Sequence, residues 1–291
     1  MGRLEDAGGP GARLMFDRLT VLHTSDFQCG KPFLPEAAEA LLTLAEDIDP
    51  DVVIVSGDLT QRAKKREFVI ARSIIDGFGA RPVVVTPGNH DVPLYRIWER
   101  LFDPFGNWRS FAGEWALDTV TRVDGAIIVS LNSAAPLRAI VNGRLDDCQV
   151  DFARQAFETG ERDALRLLVV HHNFVPAPSK DAGRPLPRAA YLASAFGDMG
   201  VDLILGGHIH ETFMNVSEEI PECPPQDPPL PILACGTTTS LRGRGSEDGW
   251  NSLSVLRFGE DDVEVTPYRR AVGSVAFQPM PSRSWRLRGR V

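Results

Sequence analysis

The sequence predicts an α/β fold in which a mainly parallel sheet is faced by a second, antiparallel one. Three observations carry that expectation: β-branched runs alternate with helical repeats through the first two thirds of the chain, each strong run ends in a polar cluster, and the last third holds strands without helices. Residues 19–23 read as the first strand. Ala37, Ala38, Leu41, Leu42, Ala45 and Ile48 then recur at helical spacing until Asp49-Pro50-Asp51 stops them. Residues 52–56 are a continuous β-branched run, suited to a strand buried on both faces, and a second amphipathic helix follows through Phe68, Val69, Ile74, Ile75 and Phe78. Strands continue at 83–86, 126–131, 167–170 and 203–205, with helical spacing over 148–157. After that, 212–216, 232–235, 252–258 and 263–268 read as short strands joined by loops, which suggests the antiparallel second sheet. Proline-rich stretches at 175–187 and 221–231 read as surface excursions near a site.

With 291 residues, 43% of them hydrophobic, one large domain is expected over 18–275, between a leader at 1–17 and a C-terminal tail at 276–291. The net charge of −8 opposes the long-range attraction by which proteins grip nucleic-acid backbones, so polymeric DNA or RNA is not expected as a partner. No apolar core of a secretory signal stands near the N-terminus, and no stretch is long enough to span a bilayer; the expectation is a cytoplasmic protein with no membrane partner. Cys29, Cys148, Cys223 and Cys235 lack CxxC spacing and read as reduced thiols. A second copy of the chain is kept as a candidate partner.

The polar clusters carry the chemistry. They are Ser25-Asp26-Phe27-Gln28, Gly57-Asp58-Leu59, Gly88-Asn89-His90-Asp91, His171-His172 and Gly206-Gly207-His208-Ile209-His210. Loops at the C-terminal ends of strands in α/β sheets converge on one crevice, so five clusters at five such ends can meet. Carboxylates, an amide and imidazoles together give the mixed oxygen and nitrogen donors that suit Mn²⁺, Fe or Zn²⁺ without a thiolate. Five of the six histidines lie in these clusters, and the glycines beside them let backbone pass close to an ion.

D-x-Q, GD, GNHD, a histidine after an apolar strand, and GHIH, in this order, resemble the signature of the calcineurin-like metallophosphoesterase superfamily. The stretch GNHDVPLY, with GTTTSLRGRG and Asn251-Ser252 later, is similar to the bacterial class III cyclic nucleotide phosphodiesterase group. The resemblance implies a four-layer α/β/β/α sandwich of two mixed sheets and two divalent cations, Mn²⁺ and/or Fe with Zn²⁺ also fitting. It puts Asp26, Gln28 and His210 on one cation, Asn89, His171 and His208 on the other, and Asp58 between them. A hydroxide shared by the cations would attack the phosphorus of a small phosphodiester, a 3′,5′-cyclic nucleotide being the first candidate. His90 would protonate the leaving alkoxide, with Asp91 or Asp26 holding its ring. The same superfamily also suggests phosphomonoesters, nucleotide pyrophosphates or a non-catalytic metal-binding scaffold; retention of His90 favours catalysis over the scaffold.

Gln28 departs from the histidine most relatives carry there, so the first cation is expected to be a hard, oxygen-tolerant ion such as Mn²⁺, held more loosely than the second. His172 reads as a neighbour of the centre and His23 as a core histidine inside the first strand. Phe102, Phe105, Trp108, Phe111 and Trp115 read as core, with a lid over a nucleobase as the other reading. Arg242 and Arg244 are candidates for neutralising substrate phosphate.

Overall fold

The β-branched runs become strands and the helical repeats become helices, and the sharing of strands between two sheets is what gathers the polar clusters. The computed structural model describes residues 18–112, 116–137, 141–178 and 184–287. In chain order the elements are β1 (Leu19–Thr24), α1 (Pro35–Ile48), β2 (Val52–Val55), α2 (Lys65–Asp76), β3 (Val83–Val85), α3 (Ile97–Phe102), α4 (Gly106–Ala112), β4 (Thr119–Val123), β5 (Ala126–Leu131), α5 (Asp147–Glu158), β6 (Leu165–Val170), α6 (Ala189–Asp198), β7 (Leu203–Gly206), β8 (Phe213–Val216), β9 (Pro231–Ala234), β10 (Trp250–Phe258), β11 (Asp262–Ala271), β12 (Gln278–Pro279) and β13 (Arg283–Arg286). Pro35, with its fixed φ, opens α1 in the first turn. Asp49 closes it in a left-handed conformation at φ 49°, its N–H donating to the Ala45 carbonyl.

One sheet runs β12-β11-β10-β1-β2-β3, with β13 also on β11; the other runs β4-β5-β6-β7-β9-β8. β1, β2 and β3 are mutually parallel, as are β5, β6, β7 and β9. Between the sheets lies an apolar layer that includes Val21, Ile54, Ile128, Val169, Leu205 and Leu256. The outer face of the first sheet packs on α1, α2 and α4 through Leu41, Phe68 and Trp108, and that of the second on α5 and α6 through Phe157 and Phe196. This is a four-layer α/β/β/α sandwich of two mixed sheets.

The expectation of one parallel sheet faced by a C-terminal antiparallel one needs correction. The strands of the α/β part are split between both sheets, and the C-terminal strands are divided as well: β10 pairs antiparallel with β1 in register Leu19↔Phe258, while β9 lies parallel to β7. The reason is burial. Leu253 and Val255 of β10 face the helices while Leu256 and Phe258 face the other sheet, so β10 is apolar on both sides and can only be an interior strand. Residues 278–286, set apart on the sequence as part of a tail, pair with β11. The leader at 1–17 lies outside the described residues.

Two further expectations are modified. The proline-rich stretch at 221–231 enters β9 from its N-terminal end, opposite the end where the polar clusters sit, and packs on α6, with Gln226 Nε2 donating to the Ala193 carbonyl at 3.1 Å. It is therefore not near the site. The aromatic segment divides: Trp108 is fully buried, edge-on to Phe68 with ring centroids 6.2 Å apart, and Phe105 is buried, whereas Phe102 is 79% exposed. Trp115 lies outside the described residues.

Candidate metal centre

All five clusters follow the C-terminal ends of parallel strands: Asp26 and Gln28 after β1, Asp58 after β2, Asn89, His90 and Asp91 after β3, His171 and His172 after β6, and His208 and His210 after β7. The chain bends sharply to bring them together. Asp26, Gln28, Asp58, His208 and His210 all hold left-handed backbone, at φ 53°, 52°, 52°, 73° and 62°. Such conformations cost about 1 kcal/mol or more each for residues with a Cβ and persist only where the surroundings impose them. Around Asp26 a hydroxyl-rich turn after β9 holds the backbone in place. Thr237 Oγ1 donates to the Asp26 carbonyl at 2.8 Å, Thr239 Oγ1 to the Phe27 carbonyl at 2.9 Å, and Ser25 N to Thr238 Oγ1 at 3.1 Å. Gly57, at φ 98°, lies against the His171 ring, and a Cβ on Gly88 would collide with the Asp58 carboxylate.

At the centre, Asp58 Oδ1 lies 3.4 Å from His171 Nε2, and Asp26 Oδ1 lies 3.4 Å from His210 Nε2. Asp26, Asp58 and His210 offer ligand atoms that all fall within 4.8 Å of one another, each buried. His208 Nδ1 is 3.0 Å from Asn89 Oδ1, and the His171 and His208 rings sit 5.3 Å apart, centroid to centroid. Asp26 Oδ1 and His171 Nε2 are buried with no hydrogen-bond partner among the described residues. Burying such atoms unpaired is costly. Separations of 3.4 Å are too long for good hydrogen bonds, and they suit two donors each about 2.1 Å from one cation. The donor set fits divalent cations.

The electrostatics follow from burying these charges together. Burial pushes the Asp26 carboxyl up to about 7, with Asp58 nearby adding to the rise. Burial also works against Asp58, yet His171 and His90 beside it hold it well below the usual carboxylate range. Burial opposes a charged His171 in turn, but Asp58 and Asp26 raise it to about 9. His208 is lowered to about 3 and His210 well below the ordinary value, chiefly by burial, so both present neutral rings suited to ligation.

The outer groups are fixed with equal definition. His171 Nδ1 lies 2.7 Å from the Ser56 carbonyl, which leaves Nε2 facing Asp58. His172 sits 2.7 Å from Ser133 Oγ through Nδ1, with its ring 4.6 Å from that of His208, which makes it a backing residue as the sequence suggests. His23 is fully buried between the sheets, 2.9 Å from Ser56 Oγ, and burial lowers it to about 3.

Asp91 is corrected. Neither Asp91 nor Asp26 holds the His90 ring: His90 Nδ1 lies 2.9 Å from the Gln61 carbonyl, while Asp91 accepts from the N–H groups of Gly88, Leu59 and Thr60 and from the Thr60 hydroxyl. A buried carboxylate bonded to that many donors ties the loop after β3 to the loop after β2 and has no oxygen left for catalysis. Gln28 is also not as expected. Its Nε2 donates to Asp58 Oδ2 at 2.7 Å, and its Oε1 accepts from Arg242 Nη1 at 3.1 Å, so the oxygen that would ligate a cation is turned toward the arginine. The same Arg242 Nη1 lies 3.2 Å from His90 Nε2. Gln61 and the hydroxyls of 237–239 carry no mark in the sequence as site features, a run of hydroxyl residues between a strand and two arginines being the available signal; Arg242, a candidate on the sequence, stands beside Gln28 and His90.

The family model described as calcineurin-like phosphoesterase matches residues 19–212. No curated protein matches the sequence closely enough to be counted a relative. Among solved structures, a purple acid phosphatase from yellow lupin is similar in fold, with a TM-score of 0.61 at 13% identity over 91% of this chain, which spans only 53% of the phosphatase. GAP50, described as the anchor in the inner membrane complex of Plasmodium, also has a TM-score of 0.61, at 11% identity over 94% of this chain and 90% of its own.

Proposed function

Because this chain belongs to the calcineurin-like phosphoesterase family, we propose that it hydrolyses a small phosphodiester, a 3′,5′-cyclic nucleotide being the first candidate, at a two-cation centre organised around Asp58. The cations are Mn²⁺ and/or Fe, with Zn²⁺ also suited, and the compartment is the cytoplasm. The observation that supports this is the position of the Asp58 carboxylate, with one oxygen against His171 Nε2 and the other against Gln28, beside the Asp26–His210 pair. On this reading Asp26, His210 and Gln28 serve one cation, and Asn89, His171 and His208 serve the other; Gln28 must turn its amide over to do so. When bound, the cation pair supplies Lewis-acid charge for the phosphoryl oxygens and makes water acidic enough to attack near neutral pH.

The chain's own residues do the rest. His90 keeps its Nδ1 on the Gln61 carbonyl and presents Nε2 toward Asp58, 4.0 Å away; with Arg242 turned from Nε2 onto the substrate and a proton taken up there from water, it can hand that proton to the departing alkoxide as the P–O ester bond breaks. Arg242 stands beside both His90 and Gln28 with donors to spare, placed to take a phosphoryl oxygen. Purified protein reconstituted with Mn²⁺ should hydrolyse bis-p-nitrophenyl phosphate and a 3′,5′-cyclic nucleotide, and a chelator should abolish both. Turnover of p-nitrophenyl phosphate but neither diester would replace this reading with a monoesterase, and no turnover with both cations bound would leave a scaffold.

Replacing Arg242 by Ala should raise KM and weaken inhibition by inorganic phosphate, each by about ten- to a hundredfold, the equivalent of one charge-assisted hydrogen bond. Arg242→Lys should recover part of the loss. Unchanged phosphate inhibition in the Ala variant would remove Arg242 from the substrate site.

A further inference from the structure

The segment just beyond the metal centre presents apolar rings to solvent. Among the residues of α3, none is buried. Ile97 is 58% exposed, Trp98 74%, Leu101 47% and Phe102 79%, and Tyr95 just before them is 70% exposed. Trp98 and Phe102 stack on each other, their planes nearly parallel at 11° with centroids 6.0 Å apart, so a single aromatic ledge stands out from the surface. Five large apolar side chains in one short stretch, all uncovered, form the kind of patch that soluble proteins keep for a partner.

The charge around this ledge is opposite to that of the whole chain. The protein carries a net charge of −8, yet Arg62, Lys64, Lys65 and Arg66 cluster at the start of α2, and the last three are exposed. Lys64 and Lys65 line one groove with Arg96 of the α3 approach, and the Arg62 guanidinium lies over the Tyr95 ring, 4.6 Å from its centroid. The nearby carboxylates are already engaged. Glu99 pairs with Arg96, Asp103 pairs with Arg109, and Glu67 is buried and accepts from the N–H groups of Arg62 and Lys64. What remains is an excess of positive charge beside an aromatic ledge.

We propose that this face docks on an anionic lipid bilayer, with Trp98 and Phe102 entering the headgroup region while Lys64, Lys65 and Arg66 lie against the lipid phosphates. Trp, Phe and Leu on one side of a helix with Lys and Arg beside them is the chemistry of elements that lie in a membrane interface, and localised cations supply the attraction that a chain of net negative charge otherwise lacks. No helix of the described residues is long and apolar enough to cross a membrane, and an interfacial element needs no such length. The sequence expectation of no membrane partner rests on the lack of a span and does not bear on a surface of this kind. The loops after β2 and β3 that carry Asp58 and His90 lead directly into the basic run and α3, so docking would set the metal centre at the bilayer surface.

The test is sedimentation of the full chain with vesicles of phosphatidylcholine alone and of phosphatidylcholine mixed with phosphatidylglycerol. Binding is expected to the mixed vesicles only, and to weaken as salt is raised. The double substitution Trp98→Ser with Phe102→Ser, and separately Lys64→Glu with Lys65→Glu, should each reduce binding by about tenfold or more. Both variants should hydrolyse a soluble ester as the parent does, which reports an intact fold; should the parent itself be inactive, circular dichroism serves that purpose and the vesicle result stands by itself. Failure of the parent to sediment with either vesicle overturns the proposal. So does light scattering that finds a dimer which the ring substitutions convert to monomer, since the ledge would then be the contact between two copies of the chain.

Discussion

Replacing Asp58 by Asn should lower kcat/KM by about a thousandfold, with most of the bound cation lost. The substitution is nearly isosteric. An Asn oxygen can still accept the His90 N–H, which reaches Asp58 Oδ1 at 2.8 Å, and the Gln28 amide, now 2.7 Å from Oδ2, can turn to suit a new donor. What changes is charge: the one carboxylate placed against both His171 and Gln28 becomes neutral, and a bound cation pair would lose the negative charge that this position supplies. Stability should report the same loss. Ligands that bind only the folded chain raise its melting temperature, so a chelator should lower the midpoint of the Mn²⁺-loaded parent and move that of Asp58→Asn much less. Metal analysis and melting curves with and without chelator check this, and a variant that keeps two cations and a tenth of its activity would sink the assigned role of Asp58.

Much of this centre could be read from the chain before folding was considered, because it obeys a local rule. Each candidate ligand stands one to five residues beyond an apolar run, and in an α/β sheet those positions share one edge. Asp26, Asp58, Asn89, His171, His208 and His210 can therefore be grouped from the sequence. The topology was harder. Whether β10 lay beside β1 or in a separate sheet depends on both of its faces being covered, and Leu253, Val255, Leu256 and Phe258 look the same in sequence either way. α6 is hard to see in the sequence because its spacing of Ala189, Leu192, Ala193 and Phe196 directly follows a proline-rich stretch that reads as loop. Partners of the functional groups were the least legible. The Gln61 carbonyl that holds His90 is backbone and leaves no mark on residue type, and the Asp91 carboxylate beside His90 in sequence turns instead to the amides of Gly88, Leu59 and Thr60. Adjacency along the chain suggested one partner, and the turn geometry selected another.

Replacing His90 by Ala should divide substrates by their leaving group. General acid catalysis contributes about a hundred- to ten-thousandfold where the departing oxygen is strongly basic, and little where it leaves readily as an anion. The 3′,5′-cyclic nucleotide releases an alkoxide, so kcat for it should fall by about a hundredfold or more in the variant. Bis-p-nitrophenyl phosphate releases a nitrophenolate that needs no proton at neutral pH, and its kcat should fall by about tenfold or less. The geometry supports the distinction because His90 touches the centre in two separable ways. Its backbone N–H donates to Asp58 Oδ1 and survives the substitution, so cation binding should persist, whereas Nε2, with Nδ1 fixed on the Gln61 carbonyl, is the ring nitrogen turned toward a leaving group. Removing the ring also releases Arg242 from its 3.2 Å contact with Nε2, which would alter KM for both esters alike and so cannot mimic a loss confined to one of them. Equal losses for the two esters, with cation content unchanged, would make His90 a group that positions substrate and would send the proton of the leaving group to water or to another donor at the mouth of the site.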